Sequence, residues 1–225
     1  MRSLEAELEQ ARSLAVDDLA DAIESIGFEC TRCGACCTGH GEDEHTATVF
    51  PDEVRELRDA TTNREDDRDW RDVARPMPYG LSETDDGDLE GETFEWALQT
   101  DDCGNCTFYE EDDDGVGACV AHEDRPLICQ TYPFSVALAG TSQPMGEAVD
   151  EEGVVRAHEC EGLGRDISRA DAEELARALK ERAVRELEEA IAVRDTYRPA
   201  DPDPGEIVVY DSEGAKRADG TPLED

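Results

Sequence analysis

The sequence predicts an α+β fold: a small, metal-organised cysteine-rich domain of short strands and loops, packed with amphipathic N-terminal and C-terminal helices. Three observations carry that expectation. Apolar residues recur at helical spacing near both ends, short runs bounded by Gly, Pro and acidic residues fill the middle, and nine cysteines gather there. A chain of 225 residues with 38% hydrophobic content can bury one modest core with extensions. The expected organisation is an amphipathic helix over 1–27, a cysteine-cluster metal-binding domain over 28–164, a C-terminal helix over 165–197 and a partly mobile extension over 198–225.

Leu4, Leu8, Ala11, Ala15, Leu19, Ala22, Ile23 and Ile26 form one helical stripe, and Gly27 is placed to cap it. Phe50-Pro-Asp-Glu-Val opens a second helix, with Pro51 in its first turn and acids at its positive end. A short third helix is expected over 66–74, and residues 76–80 and 82–92 read as loop. Phe94, Trp96 and Leu98 alternate with polar neighbours, which predicts a half-buried strand leading into Cys103. Thr107-Phe-Tyr and Ala118-Cys-Val read as strands around an acidic, Gly-containing turn. A helical turn over 123–129 ends at Tyr132-Pro-Phe. Ser168, with Asp171 three residues on, reads as the N-cap of a long helix whose stripe is Leu175, Leu179, Ala183, Leu187 and Ile191. That helix is expected to pack on the first. Ile207-Val-Val-Tyr supplies at most one added strand, and 211–225 reads as mobile.

Charge narrows the classes of function. The 59 acidic against 21 basic residues give a formal net charge of −38, and only Lys180 and Lys216 are lysines. Such a field repels phosphate backbones, so no nucleic-acid partner is expected. It also strains a compact state at low ionic strength, so the composition is that of a protein for concentrated salt, as in haloarchaea. No apolar run approaches the roughly 20 residues of a spanning helix, and the first ten residues carry glutamates in place of a secretory apolar stretch. No membrane association is expected, and a cytoplasmic location follows, where thiols stay reduced. The sequence names no protein partner.

The chemistry lies in Cys30, Cys33, Cys36, Cys37, Cys103, Cys106, Cys119, Cys129 and Cys160. A C-x-x-C segment folds so that two sulfurs face one ion, and Gly34 after the second lets the chain turn. Cys30 to Cys37 overlaps two such segments and ends in an adjacent pair, which offers more sulfur than one tetrahedral ion takes. The later cysteines must then converge with these from distant segments. Eight thiolates suffice for two four-sulfur sites or one polynuclear site, and the sequence alone does not divide them. Cys36 and Cys37 do not easily serve one small ion, so their sulfurs are expected to point to different metals. His40, His45, His122 and His158 are weaker ligand candidates, and each is expected to face solvent or support a ligand. Arg125 is a candidate for neutralising thiolate charge, while Tyr132, Pro133 and Phe134 read as packing beside the site.

Together, C-x-x-C-x-x-C-C, Cys103-Gly-Asn-Cys106 with Cys119, Arg125-Pro-Leu-Ile-Cys129-Gln-Thr-Tyr-Pro-Phe and Cys160-Glu-Gly-Leu-Gly resemble the YkgJ-type cysteine-cluster family. The resemblance covers residues 28–164. That family is one of zinc- or iron-chelating domains and is shared with flagellin lysine methylases. The resemblance therefore implies zinc, iron or an iron–sulfur cluster held by the nine cysteines in a structural, storage or redox role. A metal-dependent group-transfer enzyme related to lysine N-methylases is the alternative. The chain lacks a Gly-rich nucleotide loop after a strand and a hydroxyl-histidine-acid arrangement, and no catalytic residue is identified. Two positions depart from the family: Gln130 where it often has arginine, and Glu161 where it often has proline.

Overall fold

A computed structural model describes residues 2–39, 44–61, 68–84, 87–144, 147–150, 153–200 and 202–223. The described chain is α+β, with helices α1 (Leu4–Ser13), α2 (Val16–Ile26), α3 (Pro51–Thr61), α4 (Leu127–Thr131) and α5 (Arg169–Thr196) beside several small sheets. It divides into two compact units. The first comprises Met1–Cys36, Glu111–Ala118 and Leu127–Ile191, and the second Cys37–Glu110, Cys119–Pro126 and Ala192–Asp225.

In the first unit, α1, α2 and α5 pack with an antiparallel sheet in which Val155–His158 lies between Phe134–Val136 and Ala148–Asp150. Leu8, Ala11, Leu19, Ala20 and Ile23 share one core with Phe134, Val136, Val155 and Ala157, and with Ala172, Ala176, Leu179, Ala183 and Leu187 of α5. The alanines on α5 keep its inner face low, which lets neighbouring elements approach closely. Ser168 caps α5 as the sequence predicts: its Oγ accepts from the Asp171 N–H at 3.2 Å and donates to the Asp171 carboxylate at 2.7 Å.

The N-terminal stripe forms two helices in place of one. The chain leaves the helix at Leu14 and Ala15, whose ψ angles of 127° are extended. The Leu14 carbonyl freed by the break accepts from Lys180 Nζ at 2.7 Å, a partner that helical periodicity cannot disclose. Gly27 caps α2 at φ 78°, with its N–H bonded to the Ile23 carbonyl at 2.8 Å.

The second unit holds two sheets. Trp96–Leu98 lies between Thr48–Val49 and Ala74–Pro76, all antiparallel. In the other sheet the order is Gly214–Arg217, Ile207–Asp211, Leu89–Thr93, Leu81–Glu83, with Ile207–Asp211 parallel to Leu89–Thr93. Helix α3 starts as predicted at Pro51, and the Glu53 carboxylate accepts the Phe50 N–H at 3.0 Å. Trp96 Nε1 donates to Asp211 at 2.8 Å, and buried Lys216 pairs with Asp211 at 2.8 Å and with Glu213 at 2.6 Å. Arg55 and Lys216 together hold the Glu213 carboxyl down at about 2, with Arg55 the larger influence.

Four expectations are corrected here. Residues 82–92 are not simply loop: Leu81–Glu83 and Leu89–Thr93 pair in a hairpin, because Leu89–Thr93 finds its partner in Ile207–Asp211. Trp96–Leu98 is buried on both faces, being the central strand of its sheet. The described part of 211–225 is ordered by the Asp211 and Lys216 pair and by Gly214–Arg217. The helix expected over 66–74 is a single tight turn, Trp70–Asp72, and residues 66–67 lie outside the described residues.

Candidate metal centre

Five cysteines belong to the first unit: Cys30, Cys33, Cys36, Cys129 and Cys160. Two segments far apart in sequence are zipped together beneath them. Phe28 bridges Leu163, the Glu29 N–H donates to the Gly162 carbonyl at 3.0 Å, and the Gly164 N–H donates to the Gly27 carbonyl at 3.0 Å. The fit needs glycine, since a methyl at Gly162 would stand 2.4 Å from the Glu29 oxygen and one at Gly27 2.4 Å from the Arg165 oxygen. This ladder brings Cys30 and Cys160 to the same end of paired strands. Beyond it the chain doubles back through left-handed backbone at Arg32 (φ 60°) and Gly34 (φ 77°), and the Arg32 carbonyl accepts from the Gly117 N–H at 2.9 Å.

Burial pushes the Cys160 thiol above its ordinary value, and Cys33, Cys36 and Cys30 add to the shift while the Gly162 N–H, 3.4 Å from the Cys160 sulfur, opposes it. The Tyr132 phenol is also raised, first by burial and then by Cys160, Cys36 and Cys33. Tyr132 donates its hydroxyl to the Glu159 carbonyl at 2.5 Å, so it tethers the segment after Cys129 to the residue before Cys160. The sequence suggested packing for Tyr132; the structure adds this polar tie. A Tyr three residues after one cysteine gives no sequence signal of a bond to a carbonyl 27 residues on.

The other four, Cys37, Cys103, Cys106 and Cys119, belong to the second unit. Asp101 builds their turn. Its carboxylate accepts the N–H of Cys103 at 2.8 Å and of Asn105 at 2.9 Å, while the Gly104 N–H reaches the Asp101 carbonyl at 2.9 Å with Gly104 at φ 78°. Those donors, the Asn105 N–H foremost, hold the Asp101 carboxyl below its usual range against the opposing effect of burial. Cys37 is tied to the same turn because its carbonyl accepts the Cys106 N–H at 2.8 Å. The Val120 N–H donates to the Phe108 carbonyl at 2.9 Å, and the strands near Cys119 are Tyr109–Glu111 and Gly117–Cys119, the first shifted two residues on from the expected Thr107-Phe-Tyr. Asp101 was missed from sequence, although an Asp two residues before a turn cysteine carries an Asx-turn signature.

All nine thiols are free of disulfides, and only Cys106 is buried. Among the described residues, no three His, Cys, Asp or Glu side chains are arranged to hold a metal ion. The donor chemistry nonetheless suits zinc or iron, both of which take cysteine thiolate. Of the histidines, His158 is buried with Nε2 3.0 Å from Ser135 Oγ, His45 is buried with its backbone N–H on the Gly104 carbonyl, and His122 is exposed. His40 lies outside the described residues. Arg125 donates Nε to the His122 carbonyl at 3.1 Å, which holds the turn ahead of α4.

Thiols set on glycine-cornered turns, with no disulfide to staple them, define a cysteine-cluster protein of α+β class. The chain belongs to the CxxCxxCC family, described as "Putative zinc- or iron-chelating domain", whose model matches residues 29–161. No curated protein and no solved structure matches the chain. Among the described residues, no helix is long and apolar enough to cross a membrane.

Proposed function

We propose that this chain chelates zinc or iron through Cys30, Cys33, Cys36, Cys37, Cys103, Cys106, Cys119, Cys129 and Cys160, in a structural, storage or redox role. One observation carries the reading: the backbone ladder from Phe28 and Glu29 to Gly162 and Leu163 sets side by side the segments that bear Cys30 and Cys160, drawn from both ends of the matched region. The turns at Arg32, Gly34 and Gly104 present sulfur on short loops, so side chains can close on an ion without moving the packed helices. Zinc there would supply a cross-link, and iron or an iron–sulfur cluster would add an electron site. The residues 28–164 form the functional domain in this reading, with the flanking helices as support.

The measurement is metal content. Protein purified anaerobically in high salt should carry stoichiometric zinc or iron by elemental analysis, and serine at Cys33 or Cys106 should lower it. Visible absorbance that bleaches on reduction would assign a cluster, and a colourless zinc-loaded protein would assign zinc. Metal-free protein with nine titratable thiols ends the proposal.

We further infer from the charge of −38 that the protein works in a reduced, salt-rich cytoplasm. Its melting temperature should rise as KCl is increased from about one tenth molar to molar, where the screening length falls from about 10 Å to about 3 Å. A melting temperature independent of salt would remove this inference.

A further inference from the structure

We propose that the nine cysteines form two separate metal sites, one in each unit, and that the division falls between the adjacent residues Cys36 and Cys37. This rests on the chelation reading above and goes beyond it by assigning every thiol. The first site draws on Cys30, Cys33, Cys36, Cys129 and Cys160, and the second is Cys37, Cys103, Cys106 and Cys119.

Two observations support the division. The compact units part between Cys36 and Cys37, so each side of the pair belongs to a different packed body. The backbone agrees: Cys30 and Cys160 share the ladder of Phe28 with Leu163 and Glu29 with Gly162, whereas Cys37 is bonded through its carbonyl to Cys106.

Stereochemistry favours the same split. A tetrahedral zinc site takes four sulfurs at about 2.3 Å, and an ion held by a C-x-x-C turn gains little from a residue adjoining one of its ligands. The second unit supplies four thiols, which is one closed tetrahedral set. The first supplies five, enough for one set and a thiol in reserve. The described side chains are not preset at ligating distance, so loading must draw each set together within its own unit. The exposed positions of Cys30, Cys33 and Cys103 on turns permit that.

The test uses the full chain in high salt under anaerobic conditions, loaded with zinc alone. Wild type should hold two equivalents. Cys33→Ser with Cys160→Ser should leave one, and Cys37→Ser with Cys106→Ser should also leave one, with far-UV circular dichroism reporting whether each variant is folded. A second measurement needs no variant. Wild type is partly stripped with a chelator, alkylated, and mapped by mass spectrometry, where half-stripped molecules should carry labels on only one of the two cysteine sets. Loss of all zinc from either folded double variant, or labels that mix the two sets within single half-stripped molecules, overturns the division while leaving chelation standing. Wild type that takes up no metal overturns both.

Discussion

Arg182→Met is expected to lower the free energy of unfolding by about 3–5 kcal/mol, the usual cost of stripping one partner from a buried charge. Arg182 is 2% exposed within the first unit. Its Nη1 donates to Thr131 Oγ1 at 3.0 Å and to the Phe134 carbonyl at 3.1 Å, and its Nη2 to the Ser142 carbonyl at 2.6 Å. Its Nε donates to Glu186 at 2.9 Å, one helical turn along α5. Methionine fills much of the volume but leaves the carboxylate of Glu186, itself 8% exposed, without its cation. The Ser142 N–H, 3.0 Å from Glu186, is too weak a substitute for it. Replacing both partners by methionine should therefore recover a large part of the loss, since the buried charge goes with its partner. Denaturant unfolding in high salt measures both variants. A single-variant cost below about 1 kcal/mol, in the range of an exposed pair, would show that the clamp is not a buried ionic one.

The clamp also shows what the sequence could and could not disclose. Ser168 with Asp171 and Pro51 before its acids are local signals that match the structure, and the acidic turn before Cys119 does so with its first strand shifted two residues on. Partners distant in sequence were invisible. Leu89–Thr93 read as loop because its acids mask the strand pattern, and its partner Ile207–Asp211 lies over a hundred residues on. Tyr132 read as packing because its acceptor, the Glu159 carbonyl, belongs to another segment. The cysteines were legible as donors from spacing alone. Which cysteine shares a neighbourhood with which depends on the ladder at Phe28 and Leu163 and on the Cys37 to Cys106 bond, and no spacing encodes either.

If the chain chelates metal as proposed, its withdrawal is expected to leave all nine thiols reactive and most of the helical signal intact. The reasoning starts from the core of the first unit. Its fifteen buried members run from Leu8 to Leu187 and include no cysteine. Helices α1, α2 and α5 therefore owe their packing to leucine, alanine, valine and phenylalanine contacts that an ion does not touch. Small zinc modules differ: with almost no core, their folding free energy is their metal-binding free energy, on the order of 10–16 kcal/mol. The second unit stands between these cases. Cys106 is itself buried, 6% exposed and two residues from buried Phe108, so loss of an ion from its sulfur bears directly on the packing there. A strong chelator under reducing, high-salt conditions should thus raise the count of rapidly reacting thiols to nine and lower the melting temperature. Far-UV circular dichroism should retain more than half of its helical amplitude, and hydrogen exchange should speed mainly at 100–109 and 29–37. Collapse of the helical signal on chelation would mean instead that the ion organises the whole fold, and that the apolar core is too small to stand without it.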